Sequence, residues 1–233
     1  MLIHPIEAFS DNYVWLIEKG SHVIVVDPGE ADGVLAYVKE NHLNVTAILL
    51  THKHDDHVGG VKEIKMKFPA AFVYGPSETA SLNDHTLEEG DAFTLFDQTF
   101  EVIKTAGHTE EHISYVTDNA VFCGDALFSG GCGRVFTGDY AAQFDALQKL
   151  NRLNALTNVY AGHEYTQTNL RFAKSIQPEN EPIKKALEEV NQLREQNKPT
   201  LPSTIAKEKT INVFLQATTL DEFIALRKQR DSF

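Results

Sequence analysis

Cysteine is scarce: the 233-residue chain holds two, Cys123 and Cys132. A single pair cannot staple a disulfide scaffold, and a chain of this length buries a core without one. A reduced, cytoplasmic setting is therefore expected. Positive charge is also short, with 21 Lys and Arg against 33 Asp and Glu and a formal net charge of −12. That balance excludes nucleic acid or an acidic membrane surface as the main partner, since both need a basic footprint. No apolar run approaches the roughly 20 residues of a membrane-spanning helix. The N-terminal stretch MLIHPIEAFSDNY lacks the basic region and apolar core of a secretory signal. Internal repeats and low-complexity tracts are missing as well. What remains is 42% hydrophobic and 23% charged, ordinary for a globular chain. The expectation is a monomer acting on a small molecule, with no nucleic acid and no membrane.

The first two thirds mix short strands with helices. NYVWLIE (12–18) and HVIVVDPG (22–29) predict a strand pair joined by a tight hairpin. Apolar spacing in ADGVLAYVKENHL (31–43) predicts a helix, and VTAILLT (45–51) a buried strand. A helix over 58–69 ends at Pro69. AFVYG, DAFTLF, TFEVIKT, ISYVT and AVFCGD add five strands, YAAQFDALQKLNRL (140–153) a helix, and NVYAGH (158–163) a last strand. Beyond His163 the pattern turns helical at 165–176, 181–197 and 220–230, with TLPSTIAKEKTINVF between the last two expected as a loop with an extended piece. The reading is thus α/β: an αββα sandwich over 1–163, followed by a small α-helical domain over 164–233.

Histidine is concentrated where the strand VTAILLT ends. The stretch LLTHKHDDHVGG puts three histidines and two aspartates into positions 52–57. Loops at strand ends are accessible yet held by a rigid scaffold. Imidazole and carboxylate together suit zinc, iron or manganese. His52 and His54, two apart, can point the same way from extended chain, while Asp56 and His57 lie where a turn aims them at a second point. Four donors at this density predict one metal and room for a second. Three further strand ends repeat the logic, each with glycine just before the donor: His108 in TAGHTEEH, Asp125 in FCGDALF and His163 in YAGHEYT. His112, Cys123 and Cys132 read as structural, and Asp27 in VVDPG as a loop-fixing carboxylate or an ordinary turn residue.

THKHDDH, AGHTEEH, CGDALF and AGHEYT resemble the ordered motifs of the metallo-β-lactamase superfamily. GDALFSGGCGR, GHEYTQTNLRFA and the basic end LRKQRDSF resemble its glyoxalase II (hydroxyacylglutathione hydrolase) branch over essentially the whole chain. The resemblance implies two divalent ions, most often zinc, with iron or manganese as alternatives. It assigns His52, His54 and His108 to the first and Asp56, His57 and His163 to the second, with Asp125 bridging. It implies hydrolysis of S-D-lactoylglutathione to glutathione and D-lactate by a metal-bridging hydroxide that attacks the thioester carbonyl, with Asp56 orienting the hydroxide. Arg134, Tyr165, Arg227 and Arg230 would hold the glutathione moiety. Phe136, Ala106 and Glu111 depart from the family pattern, and the segment before LRKQR is short. The competing readings are a lactonase or a glutathione persulfide dioxygenase of the same fold, and a non-catalytic binding module. The filled ligand set speaks against the last.

Overall fold

The computed structural model describes residues 2–233; Met1 lies outside them. The chain forms two compact units, one of the residues up to Lys104 with Glu111–Thr117, the other of Thr105–Glu110 with Asp118–Phe233. This division by compactness follows the chain differently from the sequence boundary at 163/164.

In the first unit β1 (Leu2–Ala8), β2 (Asn12–Lys19), β3 (His22–Val26), β4 (Asn44–Leu49), β5 (Phe72–Gly75) and β6 (His85–Thr86) form one sheet in that order. The first three strands pair antiparallel and the rest parallel. β1 sits at the edge, where Pro5, opposite Trp15, costs the ladder no donor on an inner strand. β3 and β4 are runs of β-branched and aliphatic side chains without polar alternation, because both of their faces are covered. Helix α1 (Asp32–Glu40) turns Val34 and Val38 onto the sheet, and after the short α2 (Asp55–Val58), α3 (Val61–Lys67) adds Val61 and Ile64 to the same core. β7 (Ala92–Leu95), β8 (Gln98–Lys104) and β9 (Ile113–Val116) form an antiparallel meander. Its rings pack on the first sheet: Phe93 stacks on Tyr74 at 4.5 Å, and the buried Tyr115 hydroxyl donates to the Leu50 carbonyl at 2.7 Å. A buried tyrosine needs such a partner, and this one ties the meander to the strand that leads into the histidine loop.

In the second unit β10 (Ala120–Gly124) runs parallel to β13 (Asn158–Ala161), which pairs antiparallel with β14 (Ser203–Thr204). Between them β11 (Leu127–Phe128) and β12 (Gly131–Cys132) make a small hairpin, and α4 (Tyr140–Asn151) is capped by Asp139, whose carboxylate accepts from the Ala142 N–H at 2.9 Å. The helical end is α5 (Thr166–Ile176), α6 (Glu181–Glu195), α7 (Ile205–Ile211), α8 (Val213–Gln216) and α9 (Leu220–Asp231). Phe214 lies between Phe172 and Phe223, at ring distances of 5.8 and 6.1 Å. The segment expected as a loop with an extended piece holds α7 and α8. Each is started by a side-chain cap, Thr204 accepting from Lys207 N–H and Asn212 from Phe214 N–H.

Candidate metal centre

In the first unit a cluster of donors is built on Asp27 and the loop after β4. Asp27 follows β3 with φ of 52°, a left-handed conformation that aspartate tolerates better than bulkier residues. Its carboxylate is fully engaged. One oxygen accepts the Thr51 backbone N–H at 2.8 Å; the other takes the Thr51 hydroxyl at 2.7 Å and His57 Nδ1 at 3.1 Å. The Thr51 hydroxyl has given its hydrogen to Asp27, so its oxygen accepts from His52 Nδ1, 3.0 Å away. These partners place a hydrogen on Nδ1 of both His52 and His57 and leave each Nε2 lone pair for a ligand. Asp27 therefore orients both imidazoles, although its carboxylate lies within 4.8 Å of their nitrogens.

His54 brings Nδ1 to 3.0 Å from His52 Nε2. Two metal–nitrogen bonds of about 2.0–2.1 Å span about 2.9–3.4 Å between nitrogens, so this pair fits one shared cation. His57 Nε2 lies 3.6 Å from an Asp56 carboxylate oxygen, which also accepts the Asn12 side-chain amide at 3.0 Å. Asn12, at the start of β2, thus steadies the Asp56 side chain. His112 is fully buried and stacks on His52 at 4.8 Å, a packing role.

In the second unit another cluster gathers around Asp125, which follows β10. One of its oxygens lies 3.4 Å from His108 Nε2 and 3.3 Å from His163 Nε2, the placement of a carboxylate between imidazole ligands. His108 Nδ1 is 2.8 Å from the Arg134 carbonyl; a carbonyl only accepts, so Nδ1 carries the hydrogen and Nε2 the lone pair. This contact explains the second glycine of GCGR. A Cβ on Gly133 would stand 2.0 Å from the Asp125 carbonyl oxygen and 3.0 Å from His108 Nδ1. Gly107, just before His108, has φ of 132°, and a Cβ there would run into Gln143. Tyr165 stacks on His163 at 4.6 Å and 11°, and the exposed Phe136 meets the His108 ring edge-on at 5.3 Å.

Three arginines lie near each other in the same unit. Arg227 is only 5% exposed; it donates to the Cys132 carbonyl at 2.8 Å and to Asp231 at 2.9 Å, and stands 5.2 Å over the Phe214 ring. Arg134, exposed, shares the same Asp231 oxygen at 3.3 Å. Arg230 reaches Asn169 at 3.4 Å, and burial together with the Arg227 charge lowers its pKa. Below them Glu208 is fully buried and accepts from the Ser129 hydroxyl and the Gly130 N–H, both at 2.7 Å, and from Ser203. Asn212 donates to Glu208 and to the Phe128 and Gly131 carbonyls, which fixes the β11–β12 hairpin. Neither residue stood out in the sequence, because a buried glutamate on a short helix looks like a solvated one until its partners are known.

A fold of strands and helices that ends its strands in histidine and aspartate donors defines the class. The model for the metallo-β-lactamase superfamily matches residues 9–163, and the chain belongs to that superfamily. The model for the hydroxyacylglutathione hydrolase C-terminus matches residues 164–233, which makes the hydroxyacylglutathione hydrolases the particular family. A protein of Glaesserella parasuis called hydroxyacylglutathione hydrolase is 52% identical over 232 residues, 99% of either chain. One of the same name from Vibrio cholerae is 46% identical over 249 aligned positions, again 99% of each. The crystal structure of ETHE1 from Myxococcus xanthus superposes with a TM-score of 0.74 at 26% identity, covering 98% of this chain and 90% of that one. The donors suit divalent metal ions. Among the described residues no helix is long and apolar enough to cross a membrane.

Proposed function

We propose that the protein is a metal-dependent thioesterase that hydrolyses S-D-lactoylglutathione, in the cytoplasm and as a monomer. Its metal chemistry resides in residues 1–163 and its substrate contacts extend into 164–233. The observation that carries this reading is the double use of Arg134. Its carbonyl fixes the tautomer of His108, while its guanidinium joins Arg227 and Arg230 in a cationic cluster on a chain of net charge −12. A metal ligand and an anion-binding cluster are thus tied through one residue, as an anionic substrate cleaved at a metal requires.

The donor set fits two ions, with zinc first and iron or manganese as alternatives. His52, His54 and His108 would hold one and Asp56, His57 and His163 the other, with Asp125 shared. When bound, the ions supply a lowered water pKa and polarisation of the thioester carbonyl. The chain's own residues do the rest. Asp56, steadied by Asn12, holds the proton of the attacking water. Tyr165, Arg134, Arg227 and Arg230 bind the peptide, Arg227 mostly through its charge. The C–S bond breaks to a thiolate, a good leaving group, so no side chain is needed to protonate it. Turnover of S-D-lactoylglutathione by the purified protein should vanish on chelation and return with zinc or manganese. A fully metallated protein without turnover would refute the substrate and redirect the search to persulfides and lactones.

A further inference from the structure

Asp231 is the last residue of α9, where a carboxylate faces the negative end of the helix dipole. Its place is stabilised by guanidinium instead: one oxygen accepts from Arg227 Nη2 at 2.9 Å and from Arg134 Nε at 3.3 Å. Two arginines hold this single acid and the charge of Arg230 also acts on it, so the cluster keeps a positive surplus, and Arg134 remains exposed. The shared oxygen of Asp231 therefore sits where a ligand carboxylate would find two charged donors. None of the proposed chemistry uses Asp231.

We infer that Asp231 determines specificity as an internal competitor for the glutathione carboxylate. It holds Arg134 and Arg227 in place in the free site, gives up its bond to Arg134 when a carboxylate arrives, and so limits the affinity for the product. The inference rests on the glutathione reading. Its physical content is a sign: removing the charge of Asp231 strengthens binding, whereas removing an ordinary positioning residue weakens it.

The test is calorimetric titration of the metal-loaded protein with glutathione, comparing wild type, D231N and D221N. Asparagine at 231 still accepts a hydrogen bond from Arg227 but carries no charge. Asp221 is exposed in the first turn of the same helix, so D221N makes the same change in net charge away from the cluster. D231N should bind glutathione roughly two- to fivefold tighter, the range of one partly exposed ion pair, while D221N stays at the wild-type value. KM for the thioester and the product inhibition constant should fall by that same factor in D231N. Weaker binding by D231N, or a gain no larger than that of D221N, overturns the inference and leaves the glutathione reading standing. Wild-type protein that binds no glutathione at all removes both.

Discussion

Asp27 shows how one carboxylate fixes the orientation of the histidine donors around it. Its two oxygens take three donors, from the Thr51 backbone, the Thr51 hydroxyl and His57 Nδ1. Asparagine would fit the same left-handed backbone and could still accept from Thr51 N–H, but its amide NH2 would face the Thr51 hydroxyl and the His57 N–H, donor against donor. D27N should therefore lower metal affinity about 10- to 100-fold, the usual cost of losing a partner behind a histidine ligand. Metal retained after dialysis against a weak chelator measures this, and retention equal to wild type would show that Asp27 does not orient the ligands. Cys123 lies at the other extreme of residue behaviour: burial pushes its thiol far above the ordinary value, so it should stay unreactive toward thiol reagents until the protein unfolds. The donors were legible in the sequence because they cluster just past apolar strands, and three of the seven, His108, Asp125 and His163, directly follow glycine. Their tautomers were not, because they depend on Thr51, Asp27 and the Arg134 carbonyl, which lie far apart along the chain.

Helix α7 carries the strongest prediction at the scale of elements. Glu208 is fully buried, and burial raises its pKa above the ordinary 4.5 despite its hydrogen bonds to Ser203, Gly130, Ser129 and Asn212. A carboxyl group with a raised folded-state pKa binds its proton more tightly folded than unfolded. Its contribution to stability is therefore complete below pH 4.5 and declines as pH rises through the window between 4.5 and the folded value. E208Q should flatten that decline in urea titrations across the window; an unchanged slope would mean that Glu208 is not the titrating group. E208A, which leaves Ser203, Ser129 and Asn212 without their acceptor, should cost about 3 kcal/mol, within the range for opening a buried polar network. This network also explains what the sequence hid. The long strands and the amphipathic helices α4 and α6 were readable from period and capping, with ends shifted by a few residues. β1 was missed because Pro5 breaks the run, and β14, α7 and α8 because they are too short to show a period. β1 exists because it pairs along its length with β2, and α7 and α8 because capping by Thr204 and Asn212 and the buried acid of α7 hold them.

At the scale of the whole molecule two opposing fields act on an anionic substrate. The chain carries −12 in total, of which two divalent ions would remove four, and the acids other than Asp27, Asp125 and Glu208 are exposed or half-buried. The arginine cluster acts at contact distance, as the 2.9 and 3.3 Å bonds within it show. Salt discriminates between the two by range. The screening length falls from about 30 Å at 0.01 M to about 10 Å at 0.1 M, which removes repulsion from distant acids while leaving close ion pairs largely intact. KM for S-D-lactoylglutathione should therefore fall over that interval while kcat stays level, and an uncharged thioester should show no such trend. Buried Arg227 supports this outcome, because a charge sheltered from solvent is screened less than one at the surface. A KM that rises steadily with salt would mean that the field of the cluster reaches beyond contact distance and dominates the approach of substrate, making the net negative charge irrelevant to binding.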